Sequence, residues 1–182
     1  PVNTGQTFVS VSAGYAHACA ILDSNAPIVY CWGDNQYGEI GIDSTGTIYP
    51  APHAVGSYNA VSAGGFHTCA IATAGGAYCW GSNIFGQIGT GALDGNHIAP
   101  VAVTGPQFTS ISAGYQHTCG LTSAGAAYCW GLDSAGSLGN GQTSGTALAP
   151  AAVTGGLTFA SLAPSMGGFH TCGLTTAGVA YC

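Results

Sequence analysis

The chain has 182 residues, with six acids, no lysine and no arginine, for a formal charge of −6. Charged residues make up 3 % of it, against about one-quarter of an ordinary soluble domain. The missing cations exclude phosphate-backbone binding and a basic membrane-surface helix, and no run approaches the ~20 apolar residues of a helical membrane span. Ser, Thr, Asn, Gln and the backbone must supply the polar surface, and a surface so poor in charge repels its neighbours weakly and tends to associate. There is no initiating Met and no signal-peptide pattern, so Pro1 is expected to follow a processed or missing segment.

In chain order the first block is Ser12-Ala13-Gly14-Tyr15-Ala16-His17-Ala18-Cys19. It returns as Ser62-Ala63-Gly64-Gly65-Phe66-His67-Thr68-Cys69, as Ser112-Ala113-Gly114-Tyr115-Gln116-His117-Thr118-Cys119, and as Gly167-Gly168-Phe169-His170-Thr171-Cys172. The histidines stand 50, 50 and 53 residues apart, the extra residues falling in 162–166. A second block reads Tyr30-Cys31-Trp32-Gly33, Tyr78-Cys79-Trp80-Gly81 and Tyr128-Cys129-Trp130-Gly131, and its fourth copy is Tyr181-Cys182. A third closes the units as Gly38-Glu39-Ile40-Gly41, Gly86-Gln87-Ile88-Gly89 and Gly136-Ser137-Leu138-Gly139, followed by a polar variable loop to Pro50, Pro100 or Pro150.

Within a unit the apolar runs are short and bounded by glycine: 108–113, 118–122, 126–130 and a run around 101–103. Such runs predict strands, and no segment sustains a helical period. Four strands in about 50 residues fit one blade of an all-β propeller. The chain reads as a single repeat array over 1–182, with units near 1–50, 51–100, 101–150 and an incomplete 151–182. A closed propeller needs about 4–8 blades. The expectation is therefore about three and a half blades of a longer array, or a protomer completed by another copy.

The eight cysteines fall into local pairs: Cys19/Cys31, Cys69/Cys79, Cys119/Cys129 and Cys172/Cys182. The last three pairs are ten residues apart around a turn such as Thr73-Ala74-Gly75-Gly76, which sets them opposite each other on a hairpin. One disulfide per blade follows, each worth about 2.5–3 kcal/mol by chain entropy, and with it an oxidising compartment, extracellular or at the cell surface. The alternative is metal: His67, Cys69 and Cys79 offer three donors of the type zinc favours, without a clear fourth.

These blocks resemble the repeat of the regulator-of-chromosome-condensation family. The best match is Gly64-Gly65-Phe66-His67-Thr68-Cys69-Ala70-Ile71 with Trp80-Gly81-Ser82-Asn83-Ile84-Phe85-Gly86-Gln87-Ile88-Gly89. The first unit keeps Trp32-Gly33-Asp34-Asn35, and the third departs at Leu132-Asp133-Ser134. The resemblance implies a propeller, often seven-bladed, with the repeat wrapped across blade boundaries; the cysteines resemble the extracellular bacterial branch. Kelch repeats share the period but not the contiguous Tyr-Cys-Trp-Gly. The family's nucleotide-exchange and chromatin roles suit a cation-free, disulfide-rich chain poorly.

His17, His67, His117 and His170 recur in register, as do Trp32, Trp80 and Trp130. A catalytic histidine is needed once, so these residues read as architecture and inter-blade packing. No acid pair recurs, no calcium-type cluster surrounds Asp43 or Asp94, and His53 and His97 lie in variable loops. No catalytic residue, cofactor or metal is assigned, and no enzyme is expected. The leading expectation is a self-assembling extracellular structural protein whose partners are other copies of itself. The alternative is a secreted module binding a protein or glycan through its variable loops, 42–50, 90–100 and 140–150.

Overall fold

The structure, a computed structural model, describes residues 5–165 and 169–182. Pro1, Met166 and the Gly167-Gly168 opening of the fourth block lie outside the described residues. Among those described there are fifteen strands and no helix. The strands β1 (Phe8–Ala13), β2 (His17–Leu22), β3 (Ile28–Asn35) and β4 (Gly46–Ser57) form one antiparallel sheet in that order. The second holds β5 (Ala60–Ala63), β6 (His67–Ile71), β7 (Ala77–Gly81) and β8 (His97–Ala102), and the third β9 (Ser110–Ala113), β10 (His117–Leu121), β11 (Ala127–Ser134) and β12 (Ser144–Ala152). A three-stranded sheet of β13 (Phe159–Pro164), β14 (Thr171–Thr175) and β15 (Ala180–Tyr181) is the fourth. These are successive blades of a β-propeller, with β1, β5, β9 and β13 as the inner strands that meet from blade to blade.

The hairpin register puts Cys19 opposite Cys31, Cys69 opposite Cys79 and Cys119 opposite Cys129. All four pairs are disulfides with Cα–Cα separations of 4.1 Å, so no thiolate is left for the alternative metal reading. One bridge per blade is consistent with an oxidising setting.

Pro50, Pro100 and Pro150 mark the ends of units in the sequence, yet each lies inside an outermost strand, β4, β8 or β12. An outer strand has one unpaired edge, so a missing N–H is tolerated there. The first blade consequently runs on to Ser57. Pairing with the outer strand slips between Cys31 and Gly33, between Cys79 and Gly81 and between Cys129 and Gly131. The residue in each slip is the repeated tryptophan, and a bulge is a standard way to re-aim a side chain.

The core lies between blades rather than within one. Ile21, Val29, Ile40 and the Cys19–Cys31 bridge of the first blade pack on Tyr58, Ala70 and Trp80 of the second. Ile71, Ile88 and the Cys69–Cys79 bridge pack in the same way on Phe108, Ile111 and Trp130.

Candidate functional site

Each repeated histidine reaches forward into the next blade. His17 Nε2 lies 2.8 Å from Thr68 Oγ1, His67 Nε2 2.8 Å from Thr118 Oγ1, and His117 Nε2 2.9 Å from Thr171 Oγ1. The Thr68 hydroxyl donates to the Glu39 carbonyl at 2.8 Å, and the Thr118 hydroxyl to the Gln87 carbonyl at 2.8 Å. The same two carbonyls accept the indole N–H of Trp80 at 2.7 Å and of Trp130 at 3.0 Å. Each node thus joins a histidine and a loop carbonyl of one blade to a threonine and a tryptophan of the next. Tyr58 and Phe108 lie against the two indoles at 5.9 and 5.6 Å between ring centroids.

A hydroxyl has one proton. Thr68 and Thr118 give theirs to carbonyls, so His17 and His67 must donate through Nε2–H, which fixes the tautomer. Nδ1 of His67 and of His117 is buried without a hydrogen-bond partner among the described residues. Burial disfavours the imidazolium and lowers the pKa to about 4 for His17, about 3 for His67 and about 4 for His117. His170 differs: it is exposed. Trp32 is only partly covered, whereas Trp80 and Trp130 are fully buried.

The loops after β3 and β7 are organised by one side chain each. Asn35 Oδ1 accepts from Ile40 N at 2.9 Å and its Nδ2 donates to Ser44 O at 2.8 Å; Asn83 does the same with Ile88 N and Ala92 O. Asp133 occupies this place in the third blade, buried, with no partner for either carboxylate oxygen among the described residues. Glu39 and Gln87 are a second matched pair, their side chains accepting from Tyr37 N at 2.8 Å and Phe85 N at 2.9 Å. Burial raises the Glu39 pKa to about 7.

A feature that the repeat reading passed over lies on the turns between β1 and β2, β5 and β6, and β9 and β10. Each carries an aromatic ring just before its histidine, and the rings touch. Tyr15 and Phe66 are 5.7 Å apart, Phe66 and Tyr115 5.2 Å, and Tyr115 and Phe169 6.1 Å; Tyr37 joins Phe66 at 5.6 Å. Tyr15 is 68 % exposed and Phe169 46 %. Gly65 stands where Tyr15 and Tyr115 stand in their own blades, and a Cβ there would lie 2.3 Å from the Tyr115 carbonyl oxygen. The second blade therefore carries its ring one position later, at Phe66. Asp34, its N–H bonded to Ala16 O at 2.9 Å, adds a carboxylate beside the Tyr15 turn.

The two histidines expected in variable loops stand in strands instead, His97 opening β8. His53 is in β4 against Tyr49, and His97 Nε2 bonds Asp94 Oδ1 at 2.8 Å on the surface. That bond, with a smaller contribution from Asn83, lowers the Asp94 pKa. Neither meets the recurring histidines.

The molecule is defined by these features as a disulfide-stapled β-propeller with interlocked blades. Its sequence matches the model of the regulator of chromosome condensation (RCC1) repeat at residues 8–39, 58–87 and 108–137, and a second model of that repeat at 28–71 and 74–121. The chain belongs to the RCC1 repeat family. It is 33 % identical over 72 residues to the human probable E3 ubiquitin-protein ligase HERC4, spanning 37 % of this chain and 7 % of that protein. Among solved structures, yeast RCC1 (Prp20) bound to Kap60 superposes with a TM-score of 0.84 at 20 % identity, covering 100 % of this chain and 44 % of that one. Human WBSCR16 gives 0.83 at 18 % identity, covering 98 % and 48 %. The chain thus spans under half the length of each of these proteins, and the likenesses to solved structures establish the fold.

Proposed function

We propose that this propeller is a secreted, non-catalytic binding module that holds a cationic segment of a partner protein on its aromatic face. The carrying observation is the contiguous group Tyr15, Tyr37, Phe66, Tyr115 and Phe169 on a chain with six carboxylates and no Lys or Arg. Aromatic faces attract Lys and Arg, and a net negative field steers such groups in. The disulfides support the extracellular setting. His17, His67, His117, Trp80 and Trp130 are assigned to architecture, because each makes a hydrogen bond across a blade boundary.

The test is affinity capture from the secreted and surface proteins of the source, with wild type beside the double variant Tyr15→Ser, Phe169→Ser. Loss of a captured basic protein in the variant is the expected result. Equal capture overturns the assignment of the face, and capture of a glycan instead changes the partner class.

A second reading, assembly with other copies, is favoured by Val9 and Val11, 65 % and 70 % exposed on one face of the innermost strand β1. The third-blade counterpart of Val11, Ile111, is buried between blades. Sedimentation of wild type against Val9→Glu, Val11→Glu tests it, and a monomer at high concentration for both removes it.

A further inference from the structure

Two residues after the repeated Trp-Gly, the first and second blades carry an asparagine that ties its loop together by donating. Asn35 Nδ2 gives a hydrogen bond to Ser44 O at 2.8 Å, and Asn83 Nδ2 one to Ala92 O at 3.0 Å. Each accepting carbonyl stands nine residues after its asparagine. In the third blade the corresponding pair is Asp133 and Gln142. Gln142 keeps its carbonyl in the same loop, 3.6 Å from where a Cβ on Gly136 would lie. An ionised carboxylate only accepts, so this blade offers two acceptors where the other two offer a donor and an acceptor.

Asp133 is 3 % exposed, and neither carboxylate oxygen has a hydrogen-bond partner among the described residues. The N–H groups of its loop are committed to one another. Ser134 donates to Ser137 Oγ at 3.1 Å, Ser137 to Ser134 O at 3.3 Å, Gly139 to Gly136 O at 3.0 Å and Gln142 to Asn140 Oδ1 at 2.9 Å. No Lys or Arg exists among the 182 residues to neutralise the charge. His117 feels the Asp133 charge, yet burial holds its pKa at about 4 and keeps it neutral at pH 7. A buried carboxylate with neither donors nor a counter-charge is strongly unfavourable. Both oxygens are already enclosed by described residues, so a further polypeptide segment would have to open the loop to reach them. A bare ion would not, and the exposed Ala135 two residues on keeps the loop at the surface.

We propose that Asp133 anchors a calcium-type cation site in the third blade. A hard cation bridges the two acceptors that an asparagine would bridge with its N–H. The Asp133 carboxylate and the Gln142 carbonyl are its protein ligands, and water completes the roughly 6–8 oxygens that calcium takes. A site with one carboxylate belongs to the weak class of extracellular modules, with Kd about 10⁻⁴–10⁻³ M. The bound ion does for this loop what Asn35 and Asn83 do for theirs. The site lies apart from the aromatic face and stands or falls independently of it.

The test uses metal-stripped, disulfide-intact protein, with ionic strength held constant by tetramethylammonium chloride. Calcium should raise the wild-type thermal midpoint and saturate. Terbium, a calcium mimic excited through the protein's tryptophans, should luminesce with one-site saturation and be displaced by calcium. Asp133→Asn, the more stable chain in the absence of the ion, should show neither response. Asp94→Asn removes an exposed carboxylate and should leave both responses unchanged. No saturable response in wild type, an equal response in wild type and Asp133→Asn, or an equal loss in Asp133→Asn and Asp94→Asn overturns the proposal.

Discussion

His67 Nε2 and Thr118 Oγ1 lie 2.8 Å apart across the boundary of the second and third blades, and the hydroxyl proton already belongs to the Gln87 carbonyl. Removing the hydroxyl therefore strands two buried groups, an imidazole N–H and one bond to a carbonyl. Thr118→Val should cost about 2–3 kcal/mol in denaturant unfolding, while Thr118→Ser, which keeps the hydroxyl, should cost less. A larger loss for Thr118→Ser than for Thr118→Val would trace the effect to the methyl group instead.

Acid should loosen the blades through the same histidines. Their folded pKa values, about 4, 3 and 4, lie below the usual 6.5, so the unfolded chain binds protons first as pH falls. Stability from this source is complete above pH 6.5 and is lost as pH drops towards 4 and below. The slope is about 1.4 kcal/mol per pH unit for each histidine. Urea midpoints at pH 8, 6 and 4.5 measure it, and a flat profile would refute the neutral, buried assignment.

Glu39 runs the other way. Its folded pKa, raised to about 7 from 4.5, favours the protonated folded state at low pH, and that contribution is lost as pH rises through 7. Glu39→Gln copies the residue at the matching position of the second blade and removes the charge. The variant should be more stable than wild type by about 1 kcal/mol at pH 8 and no different at pH 4.

Asp133 holds the place that Asn35 and Asn83 fill in the other blades, but a carboxylate has no N–H to donate to the loop. Asp133→Asn should raise the thermal midpoint, by an amount equivalent to about 1–2 kcal/mol. A lower midpoint would mean that the carboxylate has a partner beyond the chain.

The bridges are separable. Cys69→Ala, Cys79→Ala should lower stability by about 2.5–3 kcal/mol without unfolding the other blades. The intact wild-type mass should fall about 8 Da below the fully reduced chain, two hydrogens per bridge. A reduced-chain mass in non-reducing conditions would contradict the staples.

Blade architecture and cysteine pairing were legible in the sequence because both follow from counting. A ten-residue interval around a tight turn fixes which residues face each other on a hairpin. Other features depend on how units stack, which no single unit records. His67 finds its acceptor at Thr118, the residue after the next histidine, and a linear reading gives no reason to connect them. The aromatic face was hidden by a shift of one position: Tyr15 and Tyr115 stand two residues before a histidine, Phe66 and Phe169 one. The signal was present as one ring in every copy, and the steric conflict at Gly65 explains the offset in the second blade. Pro50 was misleading for a chemical reason, since a residue without an N–H ends most strands yet sits comfortably on an outer one.

Trp80 and Trp130 are each hooked by a carbonyl of the blade before, and this bears on how such arrays are inherited. The hook and its eye are encoded in neighbouring copies, so neither is lost when a stretch of about one period is duplicated, wherever the breakpoints fall. Every phase of the period is an equally good unit of copying. Unequal exchange can lengthen or shorten the gene freely, and each new junction inherits a working latch without a further mutation.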